Sequence, residues 1–203
     1  MRIFCIGRNY AEHARELANA VPDSPVVFMK PETCIVPDGE SIPFPSHGKD
    51  LHHEAEVVLE IGRAGKNICE SDARSHLRSI GLGLDLTLRD IQTTLKEKGL
   101  PWEKAKAFDA SAPLGPLIPV TEDLDLANIH FTCTVNQSVR QQGHTADMLF
   151  SIPTLVAYLS RIWCLQPHDL IFTGTPAGVA ALHPGDTIEL TSPQLPRAAW
   201  TLS

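Results

Sequence analysis

The chain has 203 residues, of which 43% are hydrophobic and 20% charged, with a formal net charge of −7. Those proportions suit a globular protein with a sizeable core, and the acidic balance excludes a nucleic-acid binder, whose partner demands a basic face. No run of about 18 apolar residues is present to span a membrane.

The start, Met1-Arg2-Ile3-Phe4-Cys5, lacks the long apolar region and cleavage site of a secretory signal. The five cysteines include no CxxC pair for zinc or redox work, and Cys5, Cys133 and Cys164 have the apolar neighbours of buried thiols. A reduced, cytoplasmic setting is the expectation.

In chain order, the pattern predicts a helix over 10–20 capped by Asn9, and strands over 26–29 and 56–62. A helix over 71–77, a strand over 80–86 and a helix over 88–98 follow. The remainder reads as a strand over 130–136, a helix over 153–162 opened by Ser151 and Pro153, and strands over 170–173 and 187–190. Sixteen prolines and thirteen glycines are spread throughout, as in a fold of many short strands joined by turns. Helices do not alternate regularly with strands, which favours an α+β fold with a β-rich centre, one unit over 1–203. Gly81-Leu82-Gly83 lacks the third glycine of a dinucleotide loop.

Three carboxylates carry the chemistry. Glu54 and Glu56 are one residue apart, ahead of Val57-Val58-Leu59, and a strand puts residues i and i+2 on one face. Such a pair either faces water or, if it enters the core, needs a cation to stay ionised. With Asp85 in Gly83-Leu84-Asp85-Leu86-Thr87, an all-oxygen site would suit a hard divalent ion such as Mg²⁺ or Mn²⁺.

Four further groups have two readings each. His13 and Glu16, three apart on the first helix, form either a solvated face or a dyad in which the carboxylate fixes the imidazole as a base. Arg89 and Gln92 share a face of the next helix, as outward polar residues or as a grip for a substrate carboxylate. Lys106, between Ala105 and Ala107, either points inward to neutralise an oxyanion or snorkels outward. Thr173-Gly174-Thr175-Pro176-Ala177-Gly178 is either a plain turn or an anion-binding loop.

Together these blocks resemble the fumarylacetoacetate hydrolase superfamily, in its small acylpyruvase-like branch. The carriers run from about residue 6 to 186: Gly7-Arg8-Asn9-Tyr10 with His13 and Glu16, Phe28-Met29-Lys30-Pro31, Leu51-His52-His53-Glu54-Ala55-Glu56, and Leu84-Asp85-Leu86-Thr87-Leu88-Arg89-Asp90-Ile91-Gln92. Gly99-Leu100-Pro101-Trp102, Phe150-Ser151-Ile152-Pro153 and Thr173-Gly174-Thr175-Pro176 complete the set.

The resemblance implies a β-roll of mixed sheets with peripheral helices. It also implies Glu54, Glu56 and Asp85 as ligands of Mg²⁺ or Mn²⁺, and a His13–Glu16 pair on a mobile N-terminal segment. Lys106 would lie beside the metal, Arg89, Gln92 and Thr175 would contact substrate, and the chain would form a homodimer. The expected reaction is hydrolysis of a C–C bond in an acylpyruvate-like β-diketo acid, a small anionic substrate. The alternatives are decarboxylation of oxaloacetate, isomerisation of a 2-hydroxy-dienoate or keto–enol pair, and a metal-stabilised binding module without turnover. Asn136-Gln137 departs from the Asn-Gly of relatives and is not expected to form a type I′ turn. Ala180 and the stretch after Asp186 depart as well.

Overall fold

The computed structural model describes residues 1–16 and 20–203. In chain order it contains β1 (Ile3–Gly7), α1 (Ala11–Glu16), β2 (Val26–Lys30), β3 (Ile35–Pro37), β4 (Ser41–Ile42), β5 (Leu51–His53) and β6 (Ala55–Ile61). Next come β7 (Leu77–Leu84), β8 (Thr87–Leu88), α2 (Arg89–Glu97), α3 (Glu103–Lys106), β9 (Ala112–Leu114) and β10 (Ile118–Pro119). The last part holds β11 (His130–Val135), β12 (Ser138–His144), α4 (Ile152–Ile162), β13 (Leu170–Phe172), β14 (Ala180–Ala181), β15 (Thr187–Thr191) and β16 (Ala198–Leu202).

The largest sheet is mixed and runs β2-β1-β13-β6-β7-β9-β3, with β10 also on β7. A second sheet runs β12-β11-β15-β16-β4, and a small one β14-β5-β8. Helices lie outside this β-rich centre, so the α+β expectation holds. Among the described residues, no helix is long and apolar enough to cross a membrane.

The central strand β6 explains its own apolar run. Val57 and Leu59 pack into the larger core with Leu82, Leu155 and Trp200. Val58, on the opposite face, packs into a smaller core with Ile3, Cys5 and Phe172. A strand buried on both faces reads as continuous hydrophobics, each side chain contributing about 1.5–3 kcal/mol of burial.

The antiparallel pair β6–β7 continues past Glu54 and Asp85 as the antiparallel pair β5–β8 of the small sheet. The ribbon passes from one sheet to the other at those two residues, and the Asp85 amide donates to the Glu54 carbonyl across the step, at 2.9 Å. Glu54 is therefore a break between strands, not a member of a strand with Glu56.

Several elements differ from the sequence expectation. The first helix runs Ala11–Glu16; positions 17–19 of its expected extent lie outside the described residues. Asn9 does not cap it: the buried amide donates to the carbonyls of Phe150 (3.0 Å) and Thr173 (2.8 Å) and accepts from the Phe150 amide at 2.8 Å. In place of the expected helix over 71–77 the chain forms a 3₁₀ segment, Glu70–His76, and Leu77 opens β7. Ser151 does cap α4, accepting from the Thr154 amide at 3.4 Å. Cys164 is exposed, whereas Cys5 and Cys133 are buried as expected. Asn136 and Gln137 have φ of 51° and 66°, so the two-residue turn between β11 and β12 has the positive φ values of type I′ despite its missing glycine.

Candidate active site

The bend in the ribbon gathers the three acids. Glu54, Glu56 and Asp85 are 5%, 1% and 2% exposed, and each offers an oxygen within 4.8 Å of the others. Asp85 follows β7 and Glu54 precedes β6, so the hydrogen-bonded register itself fixes their spacing.

Cations surround this cluster. Lys106 Nζ lies 2.7 Å from both Glu54 Oε2 and Asp85 Oδ2, having turned inward from the short helix α3 at 3% exposure. Arg89, at the start of α2, reaches Glu54 Oε1 at 2.5 Å. Lys30, the last residue of β2, sits 2.8 Å from Asp85 Oδ1, but it donates to the carbonyls of Ser111 (2.6 Å) and Leu86 (3.3 Å) instead. Asp85 Oδ1 is left without a hydrogen bond.

Among the described residues no cation pairs with Glu56; its partner is the Gly174 amide, 2.7 Å from Oε2. Burial and then the Asp85 charge push its carboxyl well above the usual carboxylate range. Burial acts on Glu54 the same way, but Lys106 and Arg89 outweigh it and hold that carboxyl well below the usual range. Three convergent buried oxygens, one lacking a hydrogen bond and one carboxylate lacking a cation, fit a hard divalent ion.

His13 faces the same cavity at 4% exposure. Its Nδ1 is 3.3 Å from Glu16 Oε2, and Glu16 in turn accepts from the Gly178 amide at 3.0 and 3.2 Å. Burial pushes the His13 pKa down, against the upward pull of Glu54 and Glu16. A neutral ring that donates from Nδ1 presents Nε2 as a base.

Arg89 also donates to Gln92 Oε1 at 2.6 Å, which leaves the Gln92 amide N–H groups and the unpartnered Arg89 Nε as donors. Thr175 lines the cavity, but its hydroxyl donates to Ala55 O at 2.9 Å and accepts from Gln141 Nε2 at 2.8 Å, so its proton is already committed.

The chain matches the family model described as fumarylacetoacetate hydrolase, C-terminal, over residues 2–202. The protein belongs to the fumarylacetoacetate hydrolase superfamily. An oxaloacetate tautomerase of Escherichia coli (strain K12) is 43% identical over 191 residues, covering 94% of this chain and 87% of that protein. A mitochondrial oxaloacetate tautomerase of Bos taurus is 41% identical over 187 residues, covering 92% and 85%. The crystal structure of fumarylpyruvate hydrolase from Pseudomonas aeruginosa, in complex with Mn²⁺ and pyruvate, superposes with a TM-score of 0.95. It shares 37% identity, over 100% of this chain and 89% of that one.

In this member of the fumarylacetoacetate hydrolase superfamily, the structure brings all nine sequence-derived residues to one place. Eight line a single cavity or pair with its acids, and Glu16 joins through His13. The loop read as a turn or an anion binder does supply a backbone amide, that of Gly174, to a carboxylate. Two contributors were not singled out from the sequence. Lys30 ends an apolar strand, where a lone lysine is itself a signal. Gln141 lies in the polar strand β12 and left no trace in the sequence: its Oε1 accepts from the Ala55 amide (3.0 Å) and meets His53 Nδ1 (2.9 Å).

Proposed function

We propose that this chain is a divalent-metal-dependent enzyme that interconverts the keto and enol forms of an oxaloacetate-like 2-keto acid. One observation carries the reading: three buried carboxylates converge within 4.8 Å beside a histidine that burial keeps neutral. Similarity to oxaloacetate tautomerases over more than nine tenths of the chain supports the substrate class.

Glu54, Glu56 and Asp85 would hold Mg²⁺ or Mn²⁺, which when bound would polarise the 2-keto group as a Lewis acid. His13 Nε2 takes a proton from C3 of the substrate and returns it at oxygen, so the composition is unchanged and the double bond moves. Glu16 accepts the hydrogen bond from Nδ1–H and keeps the ring in the tautomer that does this. Lys106 places an ammonium where negative charge develops on oxygen. Arg89 and Gln92 offer the free N–H groups that would grip the carboxylate beside the keto group. Phe28 and Trp102, with ring centroids 5.9 Å apart, line the cavity and exclude water.

A second reading rests on the same dyad. His13 and Glu16 can activate a water, which would make the reaction hydrolysis of the C–C bond in an acylpyruvate-like β-diketo acid, giving a keto acid and a carboxylic acid. Decarboxylation of oxaloacetate would need neither base nor water, so a His13→Ala variant should retain it.

The test follows enol absorbance with oxaloacetate and with acetylpyruvate, each with Mg²⁺ and with EDTA, for wild type and Glu54→Ala. We expect metal-dependent relaxation of oxaloacetate that falls about 100-fold or more in the variant. Release of pyruvate and acetate from acetylpyruvate, with no effect on oxaloacetate, would instead establish the hydrolase. Indifference of both substrates to metal and protein would sink both readings. The family resemblance further leads us to propose that residues 1–203 act as one catalytic unit that pairs as a homodimer in the cytoplasm; a monomeric mass in sedimentation would refute the pairing.

A further inference from the structure

Two cations at the cavity form no ion pair among the described residues. Arg8, in the turn after β1, and Lys96, in the last turn of α2, line the same space as Glu54, Arg89 and Trp102. Among the described residues, the ion pairs of the site join Arg89 to Glu54, Lys106 to Glu54 and Asp85, Lys30 to Asp85, and His13 to Glu16; none includes Arg8 or Lys96. Leu17, Ala18 and Asn19, the remaining residues, carry no charge.

Both residues are held in place at some cost. Arg8 has φ of 60°, a left-handed backbone that a residue with a side chain adopts unwillingly. Lys96 Nζ stands 5.6 Å above the centre of the Trp102 ring and is half-buried. Its pKa is pushed down to about 8, by burial and then by the nearby Arg8 and Arg89 charges. Two like charges brought together beside a cavity without a counter-ion form a site for an anion.

We propose that Arg8 and Lys96 form a subsite for a second carboxylate of the substrate, the one remote from the reacting keto group. The inference rests on the reading of the acid cluster as the metal centre, because that centre and Arg89 take the first carboxylate and leave this pair for the far end. It makes the enzyme selective for dicarboxylates: a substrate ending in a methyl group leaves both cations unanswered in a partly desolvated pocket. Discrimination by charge at one end is strong, since an unmatched buried ion is penalised more than a missing methyl.

Malate and lactate separate these possibilities, because they differ by one carboxylate and neither can tautomerise. Binding to the Mg²⁺-loaded protein is read from the fluorescence of Trp102, against the other two tryptophans as background. Wild type should bind malate about tenfold more tightly than lactate, the worth of one charge-assisted hydrogen bond. Lys96→Met and Arg8→Gln should each remove about that factor for malate and leave lactate within about twofold. Lys96→Arg should keep the preference.

Equal weakening of both ligands would mean general attraction or damage to the fold, and would overturn the subsite. So would a wild type that binds lactate and malate alike, with the metal centre still standing. If neither acid binds to the Mg²⁺-loaded wild type, the metal-centred reading fails and takes this inference with it.

Discussion

His13 owes its role to where it is buried. Desolvation lowers its pKa below the ordinary value of 6.5, and the Glu54 and Glu16 carboxylates only partly restore it. An ion on Glu54 would cancel part of that upward pull, so loading the site moves the histidine further in the same direction. The basic form is neutral and predominates above the pKa. We therefore expect kcat/KM to rise with pH along a limb whose midpoint lies below 6.5, to stay level through neutrality, and to lose that limb in His13→Gln. A limb centred above 7 would count against His13 as the base. Lys106 makes a second prediction, because it pairs with two buried carboxylates. Lys106→Met should cost about 3 kcal/mol in metal-free protein, as for any buried pair stripped of one partner. Mg²⁺ should restore more stability to the variant than it adds to wild type, which thermal unfolding with and without the ion will measure; equal gains would place the ion elsewhere.

At the scale of elements, the turn between β11 and β12 pays for a residue it does not need. Gln137 sits at φ of 66°, where a side chain costs about 1–2 kcal/mol that glycine avoids. Gln137→Gly should stabilise the protein by about 1 kcal/mol in denaturant unfolding without touching activity. Gly174 is the opposite case. At φ of +102°, a Cβ there would lie 2.6 Å from Asn9 Cβ. Gly174→Ala should cost about 3 kcal/mol and displace the amide that Glu56 accepts, so metal affinity should fall with stability. A variant as stable as wild type would refute that account. β6 is legible in the sequence because its side chains alternate between two cores and read as an unbroken apolar run. β12 is not, because Ser138-Val139-Arg140-Gln141-Gln142 forms an edge strand that buries the polar Gln141 and exposes the apolar Val139. β1 carries the same signal as β6, with Phe4 and Ile6 in the larger core and Ile3 and Cys5 in the smaller, although the sequence expectation did not include it. Residue type and spacing offered the acids and the dyad only as one of two readings each, and the family resemblance decided between them. The commitment of the Thr175 hydroxyl was not legible, since it depends on Gln141, 34 residues away in sequence. Nor was the inward turn of Lys106, since a lysine in isolation prefers the surface.

For the molecule as a whole, the acid cluster ties ligand to stability. An ion that binds the folded state alone adds about 2.7 kcal/mol at a hundredfold excess over its Kd. Thermal midpoints should therefore climb with Mg²⁺ concentration, return on addition of EDTA, and hardly move in Glu54→Ala. A midpoint indifferent to the ion would argue that the carboxylates and their lysines are complete without it. The arrangement of the largest sheet carries a further consequence. β13 lies between β1 and β6, parallel to the first strand of the chain, and the loop that follows it supplies the amide to Glu56. During translation, Glu54, Glu56 and Asp85 emerge from the ribosome well before the segment that walls them in has been made. Until residues 170–174 have been made, the chain lacks the strand that joins β1 to β6 and the amide that Glu56 accepts. The closed centre is thus among the last things the cell finishes, and a chain cut short before that point would keep the ligands and lose the site.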